Sequence, residues 1–569
     1  MIKRVWCVIV ITCVLLMSFP IHGLAVTSDG SNLEKAVDMK ILGLFNGTDK
    51  GFELERIPTR VEGAAMLMRL LGKEQEAKRL GLSHPFTDVP AWADSLVGYM
   101  YRNGLTTGTS STTFGSSQQL TAMQYVTFVL RALAYDDKNN DFKYENALDK
   151  AVEAGLLTSS EASSLKSGSN ILRNDIVGIS YSALKTKLKN SAITLLDKLV
   201  SQDKVIPKTA ATALKLYTSD LQAEYDNVTS YDPVLTENGY IARNSTDFFN
   251  ILKHSFYLNA TQINIDVTSY NGVATEDFKA VYQRAAAAVS AVTGVENFIS
   301  SWKYVANKST LTLTIEYRFT KTDFQIIKQH AEEALYKARH IVAGFIKPGM
   351  ADYEKELYIH DYIVNNTKYD YENYIAGTVP DNSFTVYGCL VQGKAVCHGY
   401  SKAFKLLSDL SLLDCTVIEG ESQASGKWEA HAWNIVRIAG KYYHADSAFN
   451  DPISEEGEDV IKYHYFNLAD KDLNSLNRWD VSKYPVCNSS ESNYYYKNGL
   501  VVSSMDEFET TVKDALNQRK AEIELRVLDY SKDRFSQFLD TIIKSADVSS
   551  FNHSVNDHVG VVSITNIKY

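Results

Sequence analysis

The first third of the chain repeats one pattern three times, and this repetition constrains the fold more than any other feature. Each copy has an apolar entry segment, a polar loop and a second amphipathic segment with helical spacing. The paired segments cover residues 33–44 with 57–71, 86–114 with 120–133, and 147–157 with 171–184. A repeat of about fifty residues cannot bury its apolar face alone, so neighbouring copies are expected to pack together. The repetition therefore predicts an all-α repeat module.

A second, different repetition lies further along. A chain of 569 residues is too long for one hydrophobic core and should form several domains. Phe248 and Ile263 recur at the same spacing as Phe508 and Ile523, each pair marking an amphipathic helix followed by an alternating strand. We therefore expect two copies of a small α/β unit, one on each side of a central domain.

These patterns predict a multidomain chain with the following order. A signal peptide occupies residues 1–25, the repeats 32–190, a helical segment and polar linker 191–244, the first α/β unit 245–345, the central domain 346–485 and the second α/β unit 486–569. The sequence does not indicate what the two α/β units do.

The N-terminus has the composition of a secretory signal peptide. Lys3 and Arg4 precede an apolar run over residues 5–19, and Ala25 closes a small-residue cleavage site. A transmembrane anchor is the alternative, but the run is short for a bilayer span. No later stretch is apolar enough to cross a membrane, so we expect a secreted chain without a transmembrane helix after cleavage.

Charge and cysteine content exclude several kinds of function. The net charge of −10 argues against nucleic-acid binding, which usually needs a basic face. Four cysteines follow the signal peptide, too few for a disulfide scaffold and without zinc-site spacing. These are Cys389, Cys397, Cys415 and Cys487. No EF-hand-like acidic loop occurs, so neither calcium nor another cofactor is expected. A disulfide between Cys389 and Cys397 would inactivate the site described next. The sequence neither predicts nor excludes this disulfide.

The central domain carries the residue types of a cysteine-nucleophile site. After Cys397, Tyr400, Phe404 and Leu407 have the spacing of a buried helical face. Cys397 should therefore lie at a helix N-terminus, where the helix dipole and free backbone N–H groups favour a thiolate. The same N–H groups can hold the oxyanion of a tetrahedral intermediate.

A hairpin should supply an imidazole and a carboxylate. Residues 431–438 and 441–446 alternate like two strands joined by a tight turn. This register places Asp446 diagonal to His431, within reach of a hydrogen bond. The imidazole would activate the thiol, and the carboxylate would fix the imidazole tautomer. His444 lies on the same face as Asp446 and is the rival candidate for the base.

These residues and the blocks around them resemble the transglutaminase-like superfamily, a papain-like α+β fold. The matching blocks are 359–363, 369–370, 387–388, 393–404, 431–434 and 443–446. The resemblance implies that Cys397 is the nucleophile, His431 the base and Asp446 the orienting acid, with attack on a glutamine or peptide carbonyl. Tyr387 and Gln392 are the candidates for a second oxyanion donor.

The repeats resemble S-layer homology repeats, which join an FxD…WA entry to a TRAE-type helix start. The resemblance covers about residues 32–190 and implies a three-pronged helical module that binds anionic secondary cell-wall polysaccharide. Arg60 and Arg173 would bind the anion. The second copy has Ala122 in place of the arginine, which puts its site in doubt. The alternative is that Thr59 begins a helix capping box and Arg60 is merely solvated.

The sequence therefore predicts a secreted thiol enzyme attached to the cell wall or S-layer of a Gram-positive-type bacterium. It would act on peptide or glutamine amide bonds as a protease, amidase or crosslinking enzyme. Water at about 55 M favours hydrolysis of an exposed thioester unless an amine is positioned more effectively. The alternative is a non-catalytic surface scaffold that binds peptides or proteins.

Overall fold

The computed structural model describes eleven segments of the chain. They are residues 32–167, 170–217, 235–236, 239–270, 278–293, 299–307, 309–318, 320–424, 426–451, 461–545 and 548–569. The predicted signal peptide and most of the predicted linker lie outside these segments. Within them, no helix combines the length and the apolar character needed to cross a membrane.

The N-terminal region is built from helices. They span Leu33–Ile41, Arg60–Leu70, Glu74–Leu80, Asp94–Arg102, Ala122–Ala132, Ala147–Glu153, Ser159–Ser167, Arg173–Lys185, Leu195–Asp197 and Lys208–Ala213. The capping box of the alternative interpretation is present: the Glu62 N–H donates to the Thr59 hydroxyl at 3.4 Å, and the Thr59 N–H donates to the Glu62 carboxylate at 2.7 Å. Such a box supplies acceptors for N–H groups that the first helical turn leaves unpaired.

One long helix, Lys321–Phe345, joins this region to the rest. Arg339 on it pairs with Asp38 at 3.2 Å, and the Lys40 ammonium donates to the carbonyl of Ala343 at 2.5 Å. Buried side chains of the N-terminal helices, the end of this helix and the central domain form one continuous hydrophobic core. The helix ends at residue 345, and its second half is part of this shared core.

The central domain mixes helices with a five-stranded antiparallel sheet. The strands, in spatial order, are Phe466–Leu468, Lys441–Ala445, Glu429–Ile438, Asp414–Ser422 and Asn477–Arg478. The helices are Asp352–Asn366, Tyr371–Ala376, Cys397–Leu410, Asp470–Leu473 and Tyr494–Lys497. A short parallel pair joins Lys368–Tyr369 to Lys394–Ala395. The helix Cys397–Leu410, called here the nucleophile helix, packs its apolar face against one side of the sheet.

Two α/β units flank the central domain, and their elements follow the same order except that the first unit begins with one additional strand. The first has Leu235–Thr236, Gly239–Ile241, Ser245–Tyr257, Gln262–Asp266, Phe278–Thr293, Ile299–Ala306 and Thr310–Tyr317. The second has Val501–Val502, Met505–Asn517, Ile523–Val527, Lys532–Ser545, Ser550–Asn556 and Val561–Lys568. In each unit a short strand runs parallel to the central strand, which also pairs antiparallel with the last strand. Val559 and Val561 of the second unit pack with Trp433 of the sheet.

Candidate active site

Cys397 is the first residue of its helix, as the apolar spacing predicts. The preceding Val396 is extended, with φ −105° and ψ 178°, and the helix then continues to Leu410. Gly399 allows this start to pack closely, because a Cβ there would lie 2.6 Å from the carbonyl oxygen of Ser383. The thiol is therefore held where the positive end of the helix dipole stabilises a negative sulfur.

The hairpin has the predicted register. Lys441 pairs with Ile438 across the two-residue turn, and Ala445 pairs with Asn434. Both turn residues have positive φ, 49° at Ala439 and 83° at Gly440, as a type I′ hairpin turn requires. Asp446 therefore follows the strand on the same face as His431.

The side chains of His431 and Asp446 are hydrogen-bonded to each other. The Nε2 of His431 lies 2.6 Å from Oδ2 of Asp446, and both side chains are buried. The other carboxylate oxygen accepts the backbone N–H of Phe449 at 3.0 Å. The Phe449 ring stacks on the imidazole at 4.2 Å between centroids. These contacts fix the plane of the ring and leave Nδ1 as the nitrogen available to the thiol.

The thiol and the imidazole shift each other's pKa. Burial raises the pKa of Cys397, but hydrogen bonds and charge from His398 and His431 outweigh it and lower the pKa to about 6. Burial lowers the pKa of His431, but Asp446 and then Cys397 outweigh it and raise the pKa to about 10. Near neutral pH the pair is therefore a thiolate and an imidazolium, the charged state that suits nucleophilic attack.

His398, for which the sequence gives no firm role, contacts the nucleophile. Its Nδ1 lies 3.7 Å from the Cys397 sulfur, and its Nε2 lies 3.8 Å from Glu419. This imidazole thus adds to the stabilisation of the thiolate.

Tyr369 is a site residue to which the sequence assigns no role. Burial, followed by the charge of Cys397, raises its pKa well above the ordinary value, while the Cys397 backbone N–H acts in the opposite direction. The phenol therefore stays protonated beside that N–H and can donate a hydrogen bond. The parallel strand pair that ends at Tyr369 and Ala395 brings it there. Tyr369 lies in one of the sequence blocks that resemble the transglutaminase-like superfamily, and that resemblance could have identified it as a site residue.

A pocket of about 290 Å³ opens beside the imidazole. Aromatic and acidic side chains dominate its wall. The lining residues are Tyr369, Tyr371, Tyr374, Ser422, Ala424, Glu429, Ala430, His431, Ala448, Phe449 and Asp451.

The other residues considered for the site lie elsewhere. Tyr387 stacks on His330 of the long helix at 3.9 Å, and Gln392 is exposed at the end of a short helical turn. Neither lines the pocket. His444 accepts the indole N–H of Trp433 at 3.0 Å and lies 2.8 Å from Asp470, so both of its ring nitrogens have partners away from Cys397. Cys389, Cys397, Cys415 and Cys487 are all free thiols.

The two arginines that the sequence predicts to bind an anion are buried. Arg60 is 5% exposed and Arg173 3%. Their Nε atoms donate to the carbonyls of Phe114 and Phe52, and both guanidinium groups lie over phenylalanine rings. Arg60 is also not the solvated side chain of the alternative interpretation. Both arginine side chains therefore link neighbouring repeats through contacts in the buried interior.

Comparisons with known proteins find similarity over parts of the chain. Residues 339–447 match the model of the Transglutaminase-like superfamily. The chain is 29% identical to the Middle cell wall protein of Brevibacillus brevis over 133 residues, 23% of this chain and 13% of that protein. It is 32% identical to a Cell surface protein of Thermoanaerobacter kivui over 120 residues, 20% of this chain and 15% of that protein. The chain thus spans less than a sixth of either relative.

Two solved structures are similar at low identity. One is a proposed cysteine protease from Cytophaga hutchinsonii, 15% identical with a TM-score of 0.17, covering 26% of this chain and 61% of that chain. The other is a TGase, also 15% identical with a TM-score of 0.17, covering 38% of this chain and 62% of that chain. Because residues 339–447 match the family model, the chain contains a transglutaminase-like domain in that region.

Proposed function

We propose that the protein is a cysteine-nucleophile enzyme that attacks peptide or glutamine amide bonds through a thioester. The observation that carries this proposal is the buried His431–Asp446 pair, 2.6 Å apart, whose imidazole contacts a thiol with a pKa lowered to about 6. Residue types alone do not give this state, because burial by itself raises the pKa of a thiol.

The reaction follows from the protonation states. The Cys397 thiolate attacks the amide carbonyl carbon, and the resulting oxyanion lies against the Cys397 backbone N–H and the Tyr369 hydroxyl. The His431 imidazolium donates its proton to the leaving amine as the C–N bond breaks. Water then attacks the thioester while His431 accepts its proton, and the carboxylic acid leaves as the thiolate re-forms. An amine in place of water would give a crosslink.

Hydrolysis is the favoured outcome. Water at about 55 M reaches an open site without help, whereas an amine needs to be positioned more effectively. The pocket beside His431 opens to solvent. We therefore place protease or amidase activity ahead of crosslinking.

We also propose that the protein acts at the cell surface, attached to the wall through its N-terminal helices. The support is the threefold repeat of that region and the names of the two relatives, a cell wall protein and a cell surface protein. Deleting residues 32–190 would not test this cleanly, since those helices share a core with the central domain. Co-sedimentation of the intact protein with walls, with and without their anionic polymers, tests it. Equal binding to both would contradict polymer-mediated attachment.

Incubation with a glutamine-containing peptide and a labelled primary amine tests the chemistry. We expect release of ammonia or peptide cleavage, with less label incorporated than product hydrolysed. Cys397→Ala should lower turnover at least about 10⁴-fold, as loss of a nucleophile does in comparable sites. Cys487→Ala, the matched control at another buried thiol, should retain it. Equal turnover in both variants would refute the proposal and favour a binding scaffold.

A further inference from the structure

The catalytic acid lies on a turn just after a strand, and both the acid and the base depend on how this turn is held. Asp446 follows the strand Lys441–Ala445, and Phe449, three residues on, stacks on His431. The Phe449 N–H also donates to the Asp446 carboxylate at 3.0 Å. A shift of residues 446–449 would therefore move the acid and the ring that covers the base at the same time.

The neighbouring strand, Phe466–Leu468, meets this turn at a bulge. Its pairing with Lys441–Ala445 is irregular, and Asn467 is the extra residue, with φ 58°. A bulge bends a strand and re-aims the residues beside it. Directly beyond the bulge, the Asp446 N–H donates to the Tyr465 carbonyl at 3.0 Å. The backbone of Tyr465 thus fixes the backbone of the acid.

The side chain of Tyr465 supports the same turn. It is buried, and its ring packs against Phe449 at 5.1 Å between centroids and 64° between planes. The Phe449 ring in turn lies 14° from the plane of His431. Aromatic pairs prefer edge-to-face or offset-stacked arrangements, so each ring limits the tilt of the next. Tyr465 therefore contacts the acid through its backbone and the stacking partner of the base through its ring.

The second α/β unit holds Tyr465 through one amide. Asn556, at the end of the strand Ser550–Asn556, donates to the Tyr465 hydroxyl at 3.0 Å and to Nδ1 of His464 at 3.2 Å. Burial lowers the pKa of His464 to about 4, so this ring is neutral near pH 7 and its Nδ1 can accept. The Asn556 oxygen accepts the N–H of His558 at 3.2 Å, which orients the amide. A single side chain of the flanking unit thus binds two consecutive residues of the central domain.

We propose that Tyr465 is a positioning residue for the His431–Asp446 pair, and that the second α/β unit holds it in place through Asn556. The inference rests on the proposed thioester chemistry and adds a role for this unit, to which the sequence assigns none. Each step of the path is a hydrogen bond or a ring contact between described residues. A misplacement of about 1 Å can cost about 10²-fold in rate even when its origin is far from the reacting atoms, so a loosened path should be visible in kcat.

The reactivity of Cys397 reports on this position independently of turnover. Burial raises the pKa of the thiol, but hydrogen bonds and charge from His398 and His431 outweigh it. A displaced His431 outweighs it less, so the pKa of Cys397 should rise. The pH at which alkylation by iodoacetamide reaches half its maximal rate should then rise as well. A purely structural role of Tyr465 would change stability without moving this midpoint.

Three substitutions in the intact protein separate the steps. Tyr465→Leu removes the ring but keeps the carbonyl that binds Asp446. We expect kcat to fall about tenfold, KM to stay within about twofold, and the alkylation midpoint to rise by about 0.5 pH unit or more. Tyr465→Phe keeps the ring and loses the hydroxyl, and Asn556→Ala removes the partner of that hydroxyl, so each should lower kcat about threefold with a smaller rise of the midpoint. Asn552→Ala, at an exposed asparagine of the same strand, is the matched control and should behave as wild type.

A double variant tests the link between the two residues. Tyr465→Phe already lacks the hydroxyl that Asn556 binds, so Asn556→Ala should lower kcat little further in that background. Groups in one network give non-additive effects, whereas the effects of independent groups multiply in rate. A further loss as large as that of Asn556→Ala alone would overturn the link through Asn556.

The outcomes separate the inference from the proposed function. An unchanged midpoint in Tyr465→Leu, with folding verified by circular dichroism, would overturn the inference and leave the proposed function standing. If Tyr465→Leu does not fold, Tyr465→Phe decides, and an unchanged midpoint there overturns the inference in the same way. Absence of turnover with every peptide in the wild-type protein would refute the proposed function, and the alkylation midpoints alone would then decide whether Tyr465 positions the pair.

Discussion

The central domain contains two groups of cysteine, histidine and carboxylate, and they differ in every property that matters for catalysis. One is Cys397 with His431 and Asp446. In the other, one ligand atom from each of His444, Asp470 and Cys487 lies within 4.8 Å of the others. The two histidines are on neighbouring strands of the same hairpin, so their different behaviour comes from their surroundings.

The first difference is the protonation of the imidazole. The indole N–H of Trp433 can only donate, so Nδ1 of His444 must accept and Nε2 must carry the proton that bonds to Asp470. His444 is thereby held neutral. This tautomer also argues against metal binding through Nε2, although the three side chains lie close together. His431 instead has the Cys397 sulfur as its second hydrogen-bond partner, and its pKa is raised to about 10.

The second difference is the thiol. Cys397 begins a helix and meets two imidazoles, which lower its pKa to about 6. Burial, followed by the charge of Asp470, raises the pKa of Cys487 well above the ordinary value. A carboxylate next to a thiol suppresses the thiolate, whereas one placed behind an imidazole supports it. The order of the three groups in space therefore decides between a nucleophile and a structural cluster.

Replacing Asp446 and Asp470 should give the largest difference in activity between the two groups. Asp446→Ala is expected to lower kcat about 10³-fold, since His431 loses both its orientation and the charge that supports imidazolium. Asp446→Asn should lose about as much, because its amide has one acceptor oxygen for two donors, the Phe449 N–H and the His431 Nε2–H, and it also lacks the charge. Asp470→Asn should change kcat less than about threefold. The measurement is kcat on the glutamine peptide, with circular dichroism to verify folding. Equal losses at positions 446 and 470 would contradict the assignment.

Alkylation rates compare the reactivity of the two thiols, Cys397 and Cys487, directly. At pH 7 the lowered pKa leaves Cys397 mostly thiolate, whereas the raised pKa of Cys487 leaves it protonated, so iodoacetamide should modify Cys397 at least about 100-fold faster. The Cys397 rate should be constant between pH 7 and 9 and fall about tenfold per unit below pH 6, because protonation then removes the nucleophile. Mass spectrometry of peptides after timed exposure measures both rates. Similar rates at the two cysteines would show that the helix start and imidazoles do not activate the thiol.

Local signals predicted much of this site. The nucleophile helix follows from apolar residues at helical spacing, and the hairpin register follows from a two-residue turn between alternating strands. Both depend on residues close together in the chain. The same patterns found the first helix and the central strand of each flanking α/β unit, but not the short parallel strand that precedes the helix or the relation of the units to the central sheet.

The missed features depend on distant residues. Tyr369 reaches the nucleophile only because two short segments pair as parallel strands. Arg60 looks the same in sequence whether exposed or buried, and it is the rings of Phe114 and Phe128 from the next repeat that enclose it. Tyr387 and Gln392, the candidates for a second oxyanion donor, do not line the pocket.

Replacing His444 should have the smallest effect on activity. It tests most directly whether the two groups differ in role. His444→Ala would leave the Trp433 N–H and the Asp470 carboxylate without their present partner, so we expect the free energy of unfolding to fall by about 2 kcal/mol. His444→Gln keeps a donor and an acceptor and should recover part of this loss. Because the imidazole is a structural hydrogen-bond bridge, kcat should stay within about threefold of wild type in the glutamine variant. Urea unfolding followed by tryptophan fluorescence, together with kcat on the same preparation, makes the distinction. A 10³-fold loss of kcat in a folded His444→Gln protein would instead make His444 the base and remove that role from His431.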